Sequence, residues 1–238
     1  MGKVEGLKKG GVKKDRFEWS GKAWNPISGC TKISPGCARC YGEKMANRFF
    51  KGKNGYPAEE PFRPGVIHED KFNVPFLWRR PSIVFVCSMG DLFHDAVSDN
   101  MVQHILDICG AASHHKFVVL TKRAHRLNQG FDYPDNVWLG VSVENQHFWD
   151  ERTAVLRTVE AKVRIVSIEP ILAPVIMDDI LWCDWVMVGK ESGVGARPAE
   201  VEWFTDIYQQ CNEAGVPFFS KQEFPDGRII VEYPFKPL

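Results

Sequence analysis

The sequence predicts an α/β fold on a mainly parallel sheet, curled into a full or partial (β/α) barrel of about six strands. Three observations predict it. Short apolar, β-branched runs recur along the chain, stretches suited to helices lie between them, and a small polar cluster follows nearly every run. A doubly wound open sheet is the competing arrangement. The first strand is followed by no GxGxxG fingerprint, which weakens the dinucleotide-binding version of that alternative.

The runs are IVFVCS (83–88), KFVVLT (116–121), VWLGVSV (137–143), VRIVSI (163–168), DWVMVG (184–189) and VPFFSK (216–221). Each has the length and composition of a strand buried on both faces. A further strand is expected at AWNPIS (23–28), which brings the total to six or seven. Helices are expected at DNMVQHILDICGAA (99–112), NQHFWDERTAVLRTV (145–159) and PAEVEWFTDIYQQCNEAG (198–215). In the last, Val201, Phe204, Ile207, Tyr208 and Cys211 fall at helical spacing, and Gly215 is the expected stop. Strands alternating with helices imply right-handed βαβ units. Trp138, Trp182 and Trp185 suit a core, whereas Trp19, Trp24 and Trp78 are candidates to stack on a base near the barrel mouth.

The polar clusters comprise Ser88 and Asp91, Thr121 to Arg123, Ser142 and Glu144, Ser167 and Glu169, Lys190 and Glu191, and Lys221 with Gln222. Parallel strands all point one way, so these clusters are expected to converge on the face where parallel barrels build active sites.

The 238 residues carry 30 basic and 30 acidic side chains, so no global field draws nucleic acid or an anionic membrane to the protein. Residues 19–238 read as a single domain. Residues 1–18 read as a basic flexible arm, whose first sixteen residues carry Lys3, Lys8, Lys9, Lys13, Lys14 and Arg16 against Glu5 and Asp15. Neither a membrane-spanning run nor a signal peptide is apparent, which predicts a cytoplasmic protein. Seven cysteines, an odd number, then argue for metal or redox chemistry over a disulfide framework.

Three of them, Cys30, Cys37 and Cys40, lie in WNPISGCTKISPGCARCYGEKM (24–45) with spacing C-x6-C-x2-C. Pro26, Gly29, Pro35 and Gly36 make this segment a loop at the C-terminal end of the first strand. Three thiolates hold three irons of a [4Fe–4S] cluster and leave the fourth open to another ligand. Zinc is the rival: a structural site wants a fourth ligand, a catalytic one uses three and a water. Spacing alone leaves both open.

WNPISGCTKISPGCARCY, SMGDLFHD (88–95), LTKRAHRL (120–127), VWLGVSVENQ (137–146), SIEPIL (167–172), GKESGVGARP (189–198) and VPFFSKQ (216–222) together carry a resemblance. In this order, from Trp19 to Gln222, the chain closely resembles the phage three-cysteine-motif family, which is common in bacteriophage and prophage genomes and similar to radical S-adenosylmethionine (SAM) enzymes. The cysteine spacing departs from that superfamily's commonest C-x3-C-x2-C. Lys190 stands where the family usually has glycine, and Glu223 and Phe224 stand where it commonly has an aromatic residue and glycine.

The resemblance implies a partial radical-SAM-type barrel, a [4Fe–4S] cluster on Cys30, Cys37 and Cys40, and SAM as cofactor. It implies that the turn of Ser88 to Asp91 contacts the SAM amino group, that Lys122 or Arg123 meets its carboxylate, and that Ser142, Glu144 and Glu169 serve its ribose. Substrate contacts are then expected from Arg123, Glu191, Arg197, Lys221 and Gln222, with His94 a further candidate. Some relatives lie in phage gene sets that elaborate thymine with amino acids. The implied reaction is therefore isomerisation of a glycyl-substituted thymine in DNA from N-linked to C-linked, in the cytoplasm of an infected bacterium, with electrons from a flavodoxin- or ferredoxin-type donor. A radical SAM DNA-repair lyase, with Cys87 as its hydrogen-returning thiol, and a non-catalytic zinc-binding module are the alternatives; Cys87 itself reads as a core residue.

Overall fold

The computed structural model describes residues 20–221, 223 and 229–234, so the basic arm and Gln222 lie outside the described residues. In chain order the strands are β1 (Lys22–Trp24), β2 (Ile27–Ser28), β3 (Val66–Ile67), β4 (Ile83–Val86), β5 (Lys116–Thr121), β6 (Val137–Val143), β7 (Val163–Ile168), β8 (Trp185–Val188) and β9 (Phe218–Ser220). The α-helices are α1 (Tyr41–Met45), α2 (Val74–Leu77), α3 (Asp99–Ala111), α4 (Gln146–Leu156) and α5 (Val201–Ala214).

Seven strands form one sheet in the order β1-β4-β5-β6-β7-β8-β9, every pairing parallel, curled into a half-barrel. Alternation along the strands gives this sheet two apolar faces. In β5, Phe117 and Val119 join a large core that also takes Val102, Ile105 and Leu106 of α3, Trp149 and Leu156 of α4, and Phe204, Ile207 and Cys211 of α5. Val118 of the same strand points the other way, into a second cluster with Trp138, Ile165, Trp185, Met187 and Phe219. The three crossover helices therefore cover one face together, as a barrel requires; a doubly wound sheet divides its helices between both. The opposite face is closed in part by the segment around Val231, which bridges Phe219, and by Tyr233, whose ring lies 5.5 Å from that of Trp185.

Side chains fix the helix ends. Ser98 Oγ accepts from Met101 N–H to cap α3, and Asn145 Oδ1 accepts from Phe148 N–H to cap α4, each cap contributing about 1 kcal/mol. Gly215 ends α5 in the left-handed conformation, as its position after the last periodic residue predicts.

Two strand expectations need correction. AWNPIS is not one strand: β1 joins the parallel sheet, whereas β2 leaves it and pairs antiparallel with β3. The break falls at Pro26, which has no N–H to offer a ladder and whose carbonyl accepts from His68 N–H. The run IVFVCS ends at Val86, because Cys87 takes a positive φ of 56° that no strand accommodates.

Candidate functional site

The cysteine loop begins where β1 and β4 end. Asn25 Oδ1 accepts from Ser88 Oγ and Met89 N–H, and Gly29 pairs with Gly90 in a short parallel bridge. Beyond Cys30 the chain makes a single 3-10 turn, Pro35–Cys37, and Cys40 then forms the N-cap of α1, which continues into a π-helical turn, Ala46–Phe50. A small apolar cluster of Ala46, Tyr56 and Met89 pins that helix. The thiols of Cys30, Cys37 and Cys40 are all free and half-buried.

Arg123, just beyond β5, organises the near side of the site. Its guanidinium is 1% exposed and donates to Cys30 Sγ at 3.2 Å, to Asp91 Oδ2 at 3.3 Å, and to the backbone and side-chain oxygens of Thr31 at 3.1 and 2.8 Å. Asp91 also accepts from Thr121 Oγ1 at 2.8 Å and from Phe93 N–H, so one buried carboxylate ties the turn after β4 to the end of β5. His94 completes this shell. Its Nδ1 accepts from Ala96 N–H, which leaves Nε2 to donate to Thr31 Oγ1 at 2.9 Å, and burial first, then the Arg123 charge, lower its pKa.

Glu144, beyond β6, organises the far side. It is fully buried, receives Lys122 Nζ at 2.8 Å, Arg152 Nη1 at 3.1 Å and Ser34 Oγ at 2.6 Å, and so binds the cysteine loop directly. Gly36 packs onto it so closely that a Cβ at that position stands 2.4 Å from Glu144 Oε1. Lys122 Nζ also donates to the backbone oxygen of Glu169 at 3.2 Å, and Glu169 Oε2 accepts from Lys221 Nζ at 2.6 Å. The ends of β5, β6, β7 and β9 are thus joined, through the ion pairs of Lys122 with Glu144 and of Lys221 with Glu169 and through the Glu169 backbone oxygen between them.

A third group lies beyond β8. Glu191 receives Arg197 and Arg39, and the Arg197 guanidinium also donates to the backbone oxygen of Pro35 at 2.9 Å. The Arg197 hydrogen bonds hold the Glu191 carboxyl down at about 2.

Of the expected site residues, the structure gathers Cys30, Cys37, Cys40, Asp91, Lys122, Arg123, Glu144, Glu169, Glu191, Arg197 and Lys221 around one end of the half-barrel. Ser88 donates to Asn25 where the cysteine loop begins, and Ser142 sits within β6, where its backbone oxygen accepts from Arg152. Gln222 falls outside the described residues. Sequence reading missed Thr31, Ser34, Arg39 and Arg152. Arg152 left a signal: it falls among Trp149, Thr153 and Leu156 on the buried face of α4, where a charge demands a partner. Two expectations about stacking are corrected. Trp24 is buried with its indole N–H on the Lys71 oxygen, and Trp78 lies beneath Lys22, at the opposite end of the strands. Cys87 is a core residue, as its apolar neighbours predict.

Cys30, Cys37 and Cys40 place three thiols on one loop above the strand ends. Arg123 offers an N–H to Cys30 Sγ, and the Gly42 and Glu43 N–H groups favour the thiolate of Cys40. Burial works the other way, pushing the Cys30 thiol up to about 12 and that of Cys40 upward, so in the metal-free chain both carry protons that ligation displaces. Among the described residues, no three His, Cys, Asp or Glu side chains are grouped so as to hold a single metal ion.

Fold and site together define an α/β half-barrel protein with a polar, thiol-bearing site at the C-terminal ends of its parallel strands. The chain belongs to the family described as protein of unknown function (DUF5131), whose model matches residues 14–227. No curated protein and no solved structure matches it. No helix of the described residues is long and apolar enough to cross a membrane.

Proposed function

We propose that this protein is a radical SAM enzyme that isomerises a glycyl-substituted thymine in DNA. One observation carries the reading: three half-buried thiols share a single loop over the mouth of an all-parallel half-barrel, with a buried Arg123 donating to Cys30 Sγ. Cys30, Cys37 and Cys40 would hold three irons of a [4Fe–4S] cluster and leave the fourth for the amino and carboxylate groups of SAM. When bound, cluster and SAM would supply one-electron radical chemistry for abstracting hydrogen from substrate.

The chain's own residues then have definite tasks. Arg123 and His94 fix Thr31 and with it the Cys30 end of the loop; Ser34, Gly36 and Glu144 fix the middle; Arg197 fixes Pro35. Lys122 and the Lys221–Glu169 pair are left at the mouth, partly exposed, as the groups nearest to ligand. Glu144 is already committed to three protein donors, which favours a positioning role over ribose binding.

The glycyl transfer rests on the resemblance to the phage three-cysteine-motif family. It exchanges one C–N bond for one C–C bond with no change of formula, so it needs no net oxidant. Anaerobic reconstitution with iron and sulfide, followed by SAM and dithionite, tests the chemistry by release of 5′-deoxyadenosine. Duplex DNA carrying N-linked glycyl-methyluracil tests the substrate, with nucleoside analysis after digestion. A glycyl mononucleoside turned over in preference to duplex refutes the DNA part alone.

A further inference from the structure

The site just described leaves one loop unexplained. Between Glu191 and Arg197 the chain reads ESGVGAR, and Val194 is 99% exposed at its tip. A single exposed valine is ordinary. This one is held out. Ala196 N–H bonds to the Gly193 oxygen at 3.1 Å, closing a four-residue turn with Val194 at its second position. Gly195 follows with a φ of 73°, the positive value that a type II turn demands of its third residue. The base of the loop is clamped by the Glu191 pairs with Arg197 and Arg39, and Arg197 anchors it to the cysteine loop at Pro35.

The flanks of the turn are cationic. A Cβ on Gly195 stands 3.8 Å from the Arg39 guanidinium, and one on Gly193 stands 3.9 Å from Lys44 Nζ. Arg39 and Arg197 share the one carboxylate of Glu191, so the clamp keeps a net positive charge. Lys44 and Arg48, both exposed, lie four residues apart on the helical run that follows Cys40. Nearby Glu43 is taken up by Lys32 at 2.9 Å. A chain with no net charge thus gathers positive charge beside its site.

We propose that the Ser192–Ala196 turn is a wedge for duplex DNA: Arg39, Lys44 and Arg48 meet the phosphates while Val194 enters the base stack and helps extrude the base presented to the mouth. This rests on the DNA reading above. A base inside a duplex is out of reach of a pocket until it is flipped, and proteins that unstack duplexes insert apolar side chains between base steps. The charge is the sign that a phosphate backbone needs, and it is located where the extruded base must go.

The test uses the full-length chain and a 25-base-pair duplex with 2-aminopurine beside a central thymine, read by fluorescence for unstacking and by anisotropy for affinity. The wild type is expected to raise the fluorescence. Val194→Ala is expected to reduce that rise about fivefold while changing Kd less than threefold, and Val194→Asp to abolish it. Lys44→Ala and Arg48→Ala are expected to weaken binding and lower the salt dependence by about one unit each. Val194 lies in water, so its replacement carries no folding penalty. Undiminished fluorescence with both Val194 variants overturns the wedge and leaves the DNA reading standing. No duplex binding by the wild type at low salt overturns both. If the variants bind and unstack duplex normally but lose reduction by an acidic flavodoxin, the patch belongs to an electron donor and the proposal fails.

Discussion

Replacing Glu144 by alanine probes the idea that this carboxylate builds the site and does not wait for ligand. Glu144 is fully buried, and Arg152, one of its two cationic partners, is only 1% exposed. Removing the carboxylate leaves that guanidinium buried without its counter-charge, which costs about 3–5 kcal/mol. Lys122 is 19% exposed and reaches water, so its loss adds little. In a chain of this size each kcal/mol lowers Tm by about 2–4 °C, so Glu144→Ala is expected to melt about 10 °C below wild type. Glu144→Gln keeps volume and an acceptor and is expected to lose about 2 kcal/mol. Urea unfolding followed by circular dichroism, on reduced metal-free protein, measures both. The loop should loosen as well, since Ser34 loses its acceptor, and alkylation of Cys37 should quicken. A loss below about 1 kcal/mol for the alanine variant refutes the reasoning and returns Glu144 to the list of ligand-binding groups.

Four further outcomes are expected. Arg123→Gln removes the N–H on Cys30 Sγ; the reconstituted cluster should show a more negative potential by EPR-monitored titration, because hydrogen bonds to ligand sulfurs raise it. Gly36→Ala drives a methyl into Glu144 and should lower the iron content per chain measured after reconstitution. Burial holds His68 at about 4, below its ordinary 6.5, so the unfolded chain takes up the proton first as pH falls. Stability should therefore decline from pH 6.5 to pH 4 in wild type and decline less in His68→Gln. Glu191, held at about 2 chiefly by Arg197, contributes stability above pH 4.5 that is lost as pH falls toward 2; Glu191→Gln should flatten that part of the acid-unfolding profile.

The strands from β4 to β9 are legible because each is an apolar run buried on both faces, α5 because its apolar residues recur at helical spacing, and α3 and α4 because stretches suited to helices lie between the strand runs. The grouping of polar residues at one sheet end follows from parallel direction alone, which is why Asp91, Lys122, Glu144, Glu169 and Lys221 are legible in the sequence. Their partners are not. Thr31, Ser34 and Arg39 carry no signal in the sequence, since a hydrogen bond between positions 34 and 144 leaves no local mark. Roles blurred for the same reason: a strand-end glutamate facing a ribose and one facing Lys122 and Arg152 have the same sequence signature. The split of AWNPIS was readable from Pro26 itself, which cannot sit inside a hydrogen-bonded ladder.

The central claim is that Cys30, Cys37 and Cys40 hold a cluster that activates SAM. Anaerobic reconstitution with paired metal analysis and product detection tests it most directly. The account predicts about four irons and four sulfides per chain, 5′-deoxyadenosine on addition of SAM and dithionite, and loss of both in Cys37→Ala. One zinc per chain with no cleavage of SAM, or a Cys37→Ala variant of full activity, contradicts it.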